Sequence, residues 1–186
     1  LKLQYIFEES LWSKKLKSDR EEFGIVSHVI DKKMEAIIRG WNLPEVLKKQ
    51  EEDIEFKFDD SGIVNEYEKG YRCKDGSVKF RLYDKKEKKV LFTMEFYKRI
   101  PLLGNAINLM LLYVHDENLR GQGVSSYYFD RLIEYAQREG IERIDVKVNA
   151  DDPYFKDDSK VNALNQKKLE EFYLRRNKKI PVNLIQ

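Results

Sequence analysis

Seven residues, Arg120-Gly121-Gln122-Gly123-Val124-Ser125-Ser126, stand between an apolar run that ends at Val114 and a stretch of helical periodicity. Their types suit the holding of an anion. A helix N-terminus presents amides without intrahelical partners and the positive end of the helix dipole, so a turn that gathers those amides holds a phosphate or pyrophosphate. Gly121 and Gly123 let the backbone approach the anion with no Cβ in the way, Arg120 adds charge, and Ser125 or Ser126 adds a hydroxyl or caps the helix. Three readings compete on these residues: an ordinary capped turn, a nucleotide phosphate loop, or a cradle for another phosphorylated cofactor. A Walker-type loop needs four residues between its glycines and a Lys-Ser/Thr pair after the second, whereas Gly121 and Gly123 are separated by Gln122 alone and no Lys follows. A dinucleotide fingerprint needs a third glycine where Ser126 stands. The nucleotide loops are set aside.

The elements that position this turn are read from periodicity. Alternation over Leu1–Phe7 predicts a strand, and Phe23, Val26, Ile30, Met34, Ile37 and Trp41 form the stripe of a helix that Gly40 helps to end. Asn42 and Pro44 open a short second helix. From Ile54 the texture changes: "IEFKF", "YRCK", "VKFRLYD" and "VLFTMEFYK" alternate apolar with polar residues and read as antiparallel strands, with a tight hairpin at "KDGS". "INLMLLYV" suits a central strand buried on both faces. After the turn come a helix that stops near Gly140, a strand at "RIDVKV", a polar connection, a helix over about 161–175, and a last strand at "IPVNLI". This order predicts one mixed α+β domain over residues 1–186.

Composition excludes several classes. Lys+Arg is 35 against Asp+Glu 33, so bulk charge does not point to a nucleic-acid partner, although six basic residues gather between Lys167 and Lys179. No apolar run approaches the roughly 20 residues that span a bilayer, and the first residues lack a signal-peptide pattern, so a soluble, cytoplasmic protein is expected. One cysteine, Cys73, rules out an internal disulfide and a multi-cysteine metal site; it reads as a packed strand residue, and no metal is expected.

The stretch from Ile107 to Val148 resembles the core of the GCN5-related N-acetyltransferase (GNAT) superfamily, whose hallmark Arg/Gln-x-x-Gly-x-Gly/Ala lies between a strand and a helix. Arg120, Gly121, Gln122, Gly123 and Val124 match it, with Ser125 in place of the final Gly or Ala. The resemblance implies the acyl-CoA N-acyltransferase fold, with a mostly antiparallel central sheet flanked by helices, and acetyl-CoA as cosubstrate. It places the pyrophosphate on the amides from Gln122 to Ser125, Ser126 beside them, and the pantetheine arm along Leu112, Tyr113 and Val114, where that strand splays from "RIDVKV". Between Val114 and Arg120 the chain has one residue more than the family's common spacing, which predicts a bulged approach to the loop. By the same resemblance Tyr173, in "NQKKLEEFYLRRNKK", is the acid for the departing thiolate, although Asn177 stands in the place of the family's glycine. Phe172 walls the cofactor and Asn149 touches it. The central strand carries no carboxylate or imidazole, so the base candidates are Glu95, His115, Asp116 and Glu117. Asp151 and Asp152 would draw a cationic amine, and Trp41 borders the acceptor side or packs in the core.

The expectation is therefore an N-acetyltransferase that moves acetyl to a primary amine by direct attack, as a monomer or homodimer, with a small-molecule or protein amine as acceptor. A second expectation is a non-catalytic CoA-binding or protein-interaction module on the same fold, and a third has the Lys167–Lys179 cluster docking RNA or an anionic surface.

Overall fold

The computed structural model describes residues 30–65, 68–74, 76–99, 102 and 104–185. The expected strand at Leu1–Phe7 and the first part of the helical stripe, Phe23 and Val26, lie outside the described residues. Alternation sorts the strands into two faces. Along β3 (Ser77–Asp84), Val78, Phe80 and Leu82 enter the hydrophobic core, and along β4 (Lys89–Lys98) so do Phe92, Met94 and Phe96. Because successive strand side chains point to opposite faces, Lys79 and Arg81, with Thr93, Glu95 and Tyr97, take the other side.

β1 (Ile54–Lys57) and β2 (Arg72–Lys74) both pair antiparallel with β3, against Arg81–Asp84 and Ser77–Lys79 respectively. The ladder runs on antiparallel through β4 to β5 (Ala106–Val114), then parallel to β6 (Arg143–Lys147) and β7 (Val182–Ile185). The fold is thus α+β, with a mixed, mostly antiparallel sheet of seven strands among the described residues, flanked by helices.

Three helices of the described residues pack on the apolar face: α1 (Lys32–Arg39), α2 (Val124–Arg138) and α3 (Gln166–Leu174). α2 and α3 are the crossovers that parallel pairing of β5, β6 and β7 requires. Aromatic rings dominate the core: Tyr128 stacks on Phe92 at 4.7 Å, Trp41 on Phe96 at 6.0 Å, and Phe129 of α2 meets Phe172 and Tyr173 of α3. Tyr127 and Tyr128 donate their hydroxyls to the carbonyls of Trp41 and Asn42, which fixes the connection after α1 against α2. Trp41 is therefore a core residue.

Several boundaries differ from the sequence expectation. α1 begins at Asp31, whose carboxylate caps Lys33 and Met34, and Gly40 ends it in a right-handed conformation; the left-handed residue is Asn42, at φ 58°. The second helix is 3-10 over Glu45–Asp53, with a kink at Gln50. The last helix starts at Gln166 rather than near 161, because Asn165 caps it through Lys168 N while Asn162 sits at φ 57°. No helix among the described residues is long and apolar enough to cross a membrane.

Candidate functional site: a cleft between parting strands

β5 outruns β6. Parallel pairing stops at Leu109–Val146, yet β5 continues to Val114, so the β6-side edge from Met110 to Val114 is left out of that ladder. The other neighbour departs from register at the same place: Glu95 pairs with Leu111 and Phe96 with Leu109, so Met110 is the extra residue of a β-bulge. Bulges bend a strand and raise its twist, which accounts for β5 leaving β6 here. The resulting cleft, of about 340 Å³, has Met110–Val114 as one wall, Lys147 and Asn149 at the end of β6 as another, and Leu169, Phe172 and Tyr173 of α3 across its apolar side.

Gly121, Gly123 and the first turn of α2 line the same cleft. Gly121 and Gly123 sit at φ 77° and 86°, where an L side chain is strained, and a Cβ built on either meets no atom within 4 Å. The backbone there lies bare against open space. Gly123 is the N-cap of α2 and no side chain among the described residues caps the helix, so neither Ser125 nor Ser126 takes the expected capping role; both line the cleft. The orphan amides of the first turn therefore have no capping side-chain acceptor among the described residues. The amide of Gln122 is committed to Leu119 O at 3.2 Å, and Gln122 is not part of the cleft wall.

Arg120 does something the sequence did not suggest. Its guanidinium donates to the carbonyls of Val114, His115, Ser159 and Val161 and to the Tyr113 hydroxyl. It is a clasp between the end of β5 and the polar segment after β6. Ser159 Oγ donates to Glu117, Asn162 Nδ2 to Glu117 O, and Tyr113 donates to Asp158 while stacking on Phe155 at 4.1 Å. Burial and then the Asp158 carboxylate push the Tyr113 phenol well above its ordinary range. The segment from Ala150 to Leu164 is thereby strapped along the cleft. Before Arg120 the chain makes a turn in which Asp116 accepts from Asn118 N and Leu119 N bonds to Asp116 O.

The structure divides the expected catalytic residues. Tyr173 lines the cleft, with its ring buried among Phe129 and Phe172, and burial raises its hydroxyl well above the ordinary phenol range. It is a neutral O–H donor throughout the physiological range. Asn177 accepts from Val182 N at 2.8 Å and so anchors β7. Glu95 and His115 are not in the cleft wall. His115 bonds Thr93 Oγ1 through Nε2 at 2.9 Å, and Thr93 meets the Tyr71 hydroxyl at 3.2 Å. Burial lowers the imidazole to about 4, so it is neutral near pH 7 and a weak base. Glu95 lies on the face away from the helices, 2.8 Å from Arg72 Nη2 and 4.0 Å from Lys79 Nζ. Asp116 pairs with Lys89 at 2.7 Å, a bond that holds its carboxyl below the usual range. Asn149 makes a local turn through Asp151 N and still faces the cleft. Cys73 is buried in β2 and its thiol is pushed up to about 12 by that burial. Among the described residues there is no cluster of three metal-ligating side chains. Of the Lys167–Lys179 cluster, Arg176 and Lys179 are tied to Asp130, and Arg175 reaches the cleft.

Two features of the site are not read from the sequence: the bulge at Met110, and Lys147 and Lys160 joining Arg175 of the basic cluster at the cationic rim. Compared with known proteins, the chain matches no family model, and neither a curated protein nor a solved structure matches it at a significant level.

Proposed function

We propose that this protein is an acetyl-CoA-dependent N-acetyltransferase whose cleft between β5 and β6 holds the cosubstrate. The observation that carries this reading is the unpaired β5 edge running from the Met110 bulge to a bare, glycine-built helix N-terminus. A strand edge offers alternating amides and carbonyls, which match a ligand arm that itself carries amides. The N-terminus of α2 offers uncapped amides and a positive dipole end, which match a pyrophosphate, and Lys147, Lys160 and Arg175 add charge at the rim. The residues present therefore fit coenzyme A: Met110–Val114 for the arm, Gly121, Gly123 and Val124–Ser126 for the pyrophosphate, and Phe172 for an apolar wall. Arg120 holds the strap in place rather than contacting phosphate.

Bound acetyl-CoA supplies a thioester carbonyl. Transfer forms a bond from the amine nitrogen to that carbon and breaks the carbon–sulfur bond, the sulfur leaving with the electron pair. An ammonium acceptor gives up two protons overall, one to a base and solvent and one matched by the proton the thiol gains. The chain's own groups are then assigned by place. Met110 pairs with no residue of β4 or β6 and stands where β5 leaves β6, the position for a backbone donor to the developing oxyanion. Tyr173 donates to the departing sulfur; its raised pKa makes this a hydrogen bond with late proton transfer rather than early acid catalysis.

One observation favours a second reading, a coenzyme-binding module without turnover: among the described residues Asp152 is the single carboxylate in the cleft wall, and it sits in the loop after β6. Thermal unfolding with and without acetyl-CoA, repeated on Gly123→Trp, tests binding. A ligand at a hundredfold excess over Kd stabilises the folded chain by about 2.7 kcal/mol, and the indole should abolish the shift. No shift at millimolar coenzyme would end both readings. Thiol release with an amine panel then separates turnover from binding, and Tyr173→Phe should slow release without weakening the thermal shift.

A further inference from the structure

Sheet register lines up three charged side chains on the face away from the helices. Arg72 pairs with Lys79, Lys79 with Glu95, and Glu95 with Leu111, so a row of cation, cation and carboxylate ends on a residue of the cleft wall beside the bulged Met110. Cross-strand neighbours stand about 5 Å apart, the scale of one small molecule's two ends. Glu95 serves both cations, at 2.8 Å from Arg72 and 4.0 Å from Lys79. Lys79 turns its ammonium to Lys69 O at 2.6 Å and lies 5.1 Å over the Tyr71 ring.

The neighbouring row adds a third cation, Arg81, and the facing loop sets Asp59, Asp60 and Glu68 near these cations. Arg81 is fully buried; its Nη2 bonds the carbonyls of Asp59 and Ser61, while Nε and Nη1 have no hydrogen-bond partner among the described residues, and Asp59 Oδ1 is 3.9 Å from Nη2. In the same loop Asp60 accepts the amides of Gly70 and Tyr71 through Oδ1, and Glu68 also faces Lys79. Arg72 and Glu95 keep 23% and 22% of their side-chain surface exposed and can be reached from solvent, while Lys79 keeps 9%.

We infer that the acceptor is an amine that also carries a carboxylate, an amino acid or close analogue, with its ammonium at Glu95 and its carboxylate at Lys79 and Arg72. This rests on the acetyl-transfer reading and narrows it. The arriving carboxylate replaces Glu95 as the partner of Arg72, which releases Glu95 to take the ammonium next to the cleft; the exchange conserves charge pairing. Glu95 then receives one proton from the ammonium before the nitrogen attacks. A diamine or aminoglycoside would set a second ammonium against Lys79 and Arg72, an arrangement that like-charge repulsion rejects.

The test uses the full chain with acetyl-CoA and a panel of L-amino acids, their carboxamides and the matched diamines, followed by thiol release. At least one amino acid should exceed its carboxamide in kcat/KM by about tenfold or more, since a site built for a polar group rejects the analogue lacking it. Lys79→Met should collapse that ratio toward unity, mainly through KM, and Glu95→Gln should lower kcat. Titrating the same acids and amides into the coenzyme complex and following the unfolding midpoint reads recognition without turnover; acids should raise it and amides should not. Carboxamides or diamines equal to the acids in both assays would overturn the acceptor class while leaving acetyl transfer intact. Absence of any coenzyme-dependent shift would overturn the transfer reading, and the acceptor role with it.

Discussion

His115 makes acid stability a quantitative test of the far-face cluster. Its imidazole is held between Thr93, at 2.9 Å, and the Tyr113 ring, at 4.9 Å, and burial lowers it from 6.5 to about 4. A histidine depressed in the folded state binds its proton more readily when unfolded, so the stability it contributes is fully present above pH 6.5 and is lost as pH falls through 6.5 toward 4. With those two values the loss is about 2 kcal/mol on going from pH 7.5 to 5, and about 3 kcal/mol once both states are protonated. The ring keeps an exposed edge, so these are upper figures. Urea unfolding across that range on the parent and on His115→Gln isolates the contribution, because carboxylates and the other histidine, His28, titrate in both chains. The parent should lose about 2 kcal/mol more than the variant by pH 5. A C2–H resonance for His115 titrating near 6.5, or identical pH slopes for the two proteins, would show that the ring is hydrated in solution and that the Tyr71–Thr93–His115 chain does not persist.

Other consequences are read just as directly. Cys73, the chain's one cysteine, should resist a thiol reagent at about pH 8 until the protein unfolds, given a thiol raised to about 12; full reaction of the native protein would contradict its burial. Arg120→Ala removes the clasp on Ser159 and Val161 and should raise hydrogen exchange across residues 150–164 at a global cost of roughly 1 kcal/mol, leaving α2 protected. Unchanged exchange there would mean the Tyr113–Asp158 and Ser159–Glu117 bonds hold the strap alone. Phe129→Ala, in a wholly buried position against Phe172 and Tyr173, should cost about 3–5 kcal/mol in denaturant unfolding.

Much of the sheet is legible because alternation and β-branched content act locally: each strand expected from Ile54 onward lies within a residue or two of its observed span, and α2 ends at Arg138, near the stop expected at Gly140. Helix starts were less legible. A continuous apolar-polar texture over 161–175 reads as helix, but Asn165 caps only the residues C-terminal to it, and the left-handed Asn162 breaks the turn before it. The short helix after Pro44 came out 3-10, a distinction that composition does not encode.

For the site, the glycine turn was legible and its surroundings were not, and the reason is that register is a tertiary quantity. Nothing in "INLMLLYV" marks Met110 as the residue that neither β4 nor β6 claims, because the bulge arises from how Glu95 and Phe96 align with the next strand. The same holds for charge. Arg72, Lys79 and Glu95 lie far apart in sequence and look like three solvated strand residues until pairing sets them in one row. Arg120 shows the opposite failure: a basic residue beside a phosphate-type turn invites an electrostatic role, yet its neighbours present four carbonyls within reach of a planar fork of donors. A guanidinium satisfied by carbonyls keeps its charge but loses its reach. On the proposed coenzyme reading, anion recognition at this turn falls to the backbone amides beside Gly121 and Gly123, both at positive φ, and to Lys147, Lys160 and Arg175 at the rim. Replacing Arg120 should therefore perturb the strap before it perturbs anion binding, whereas a Cβ at Gly121 or Gly123 should do the reverse.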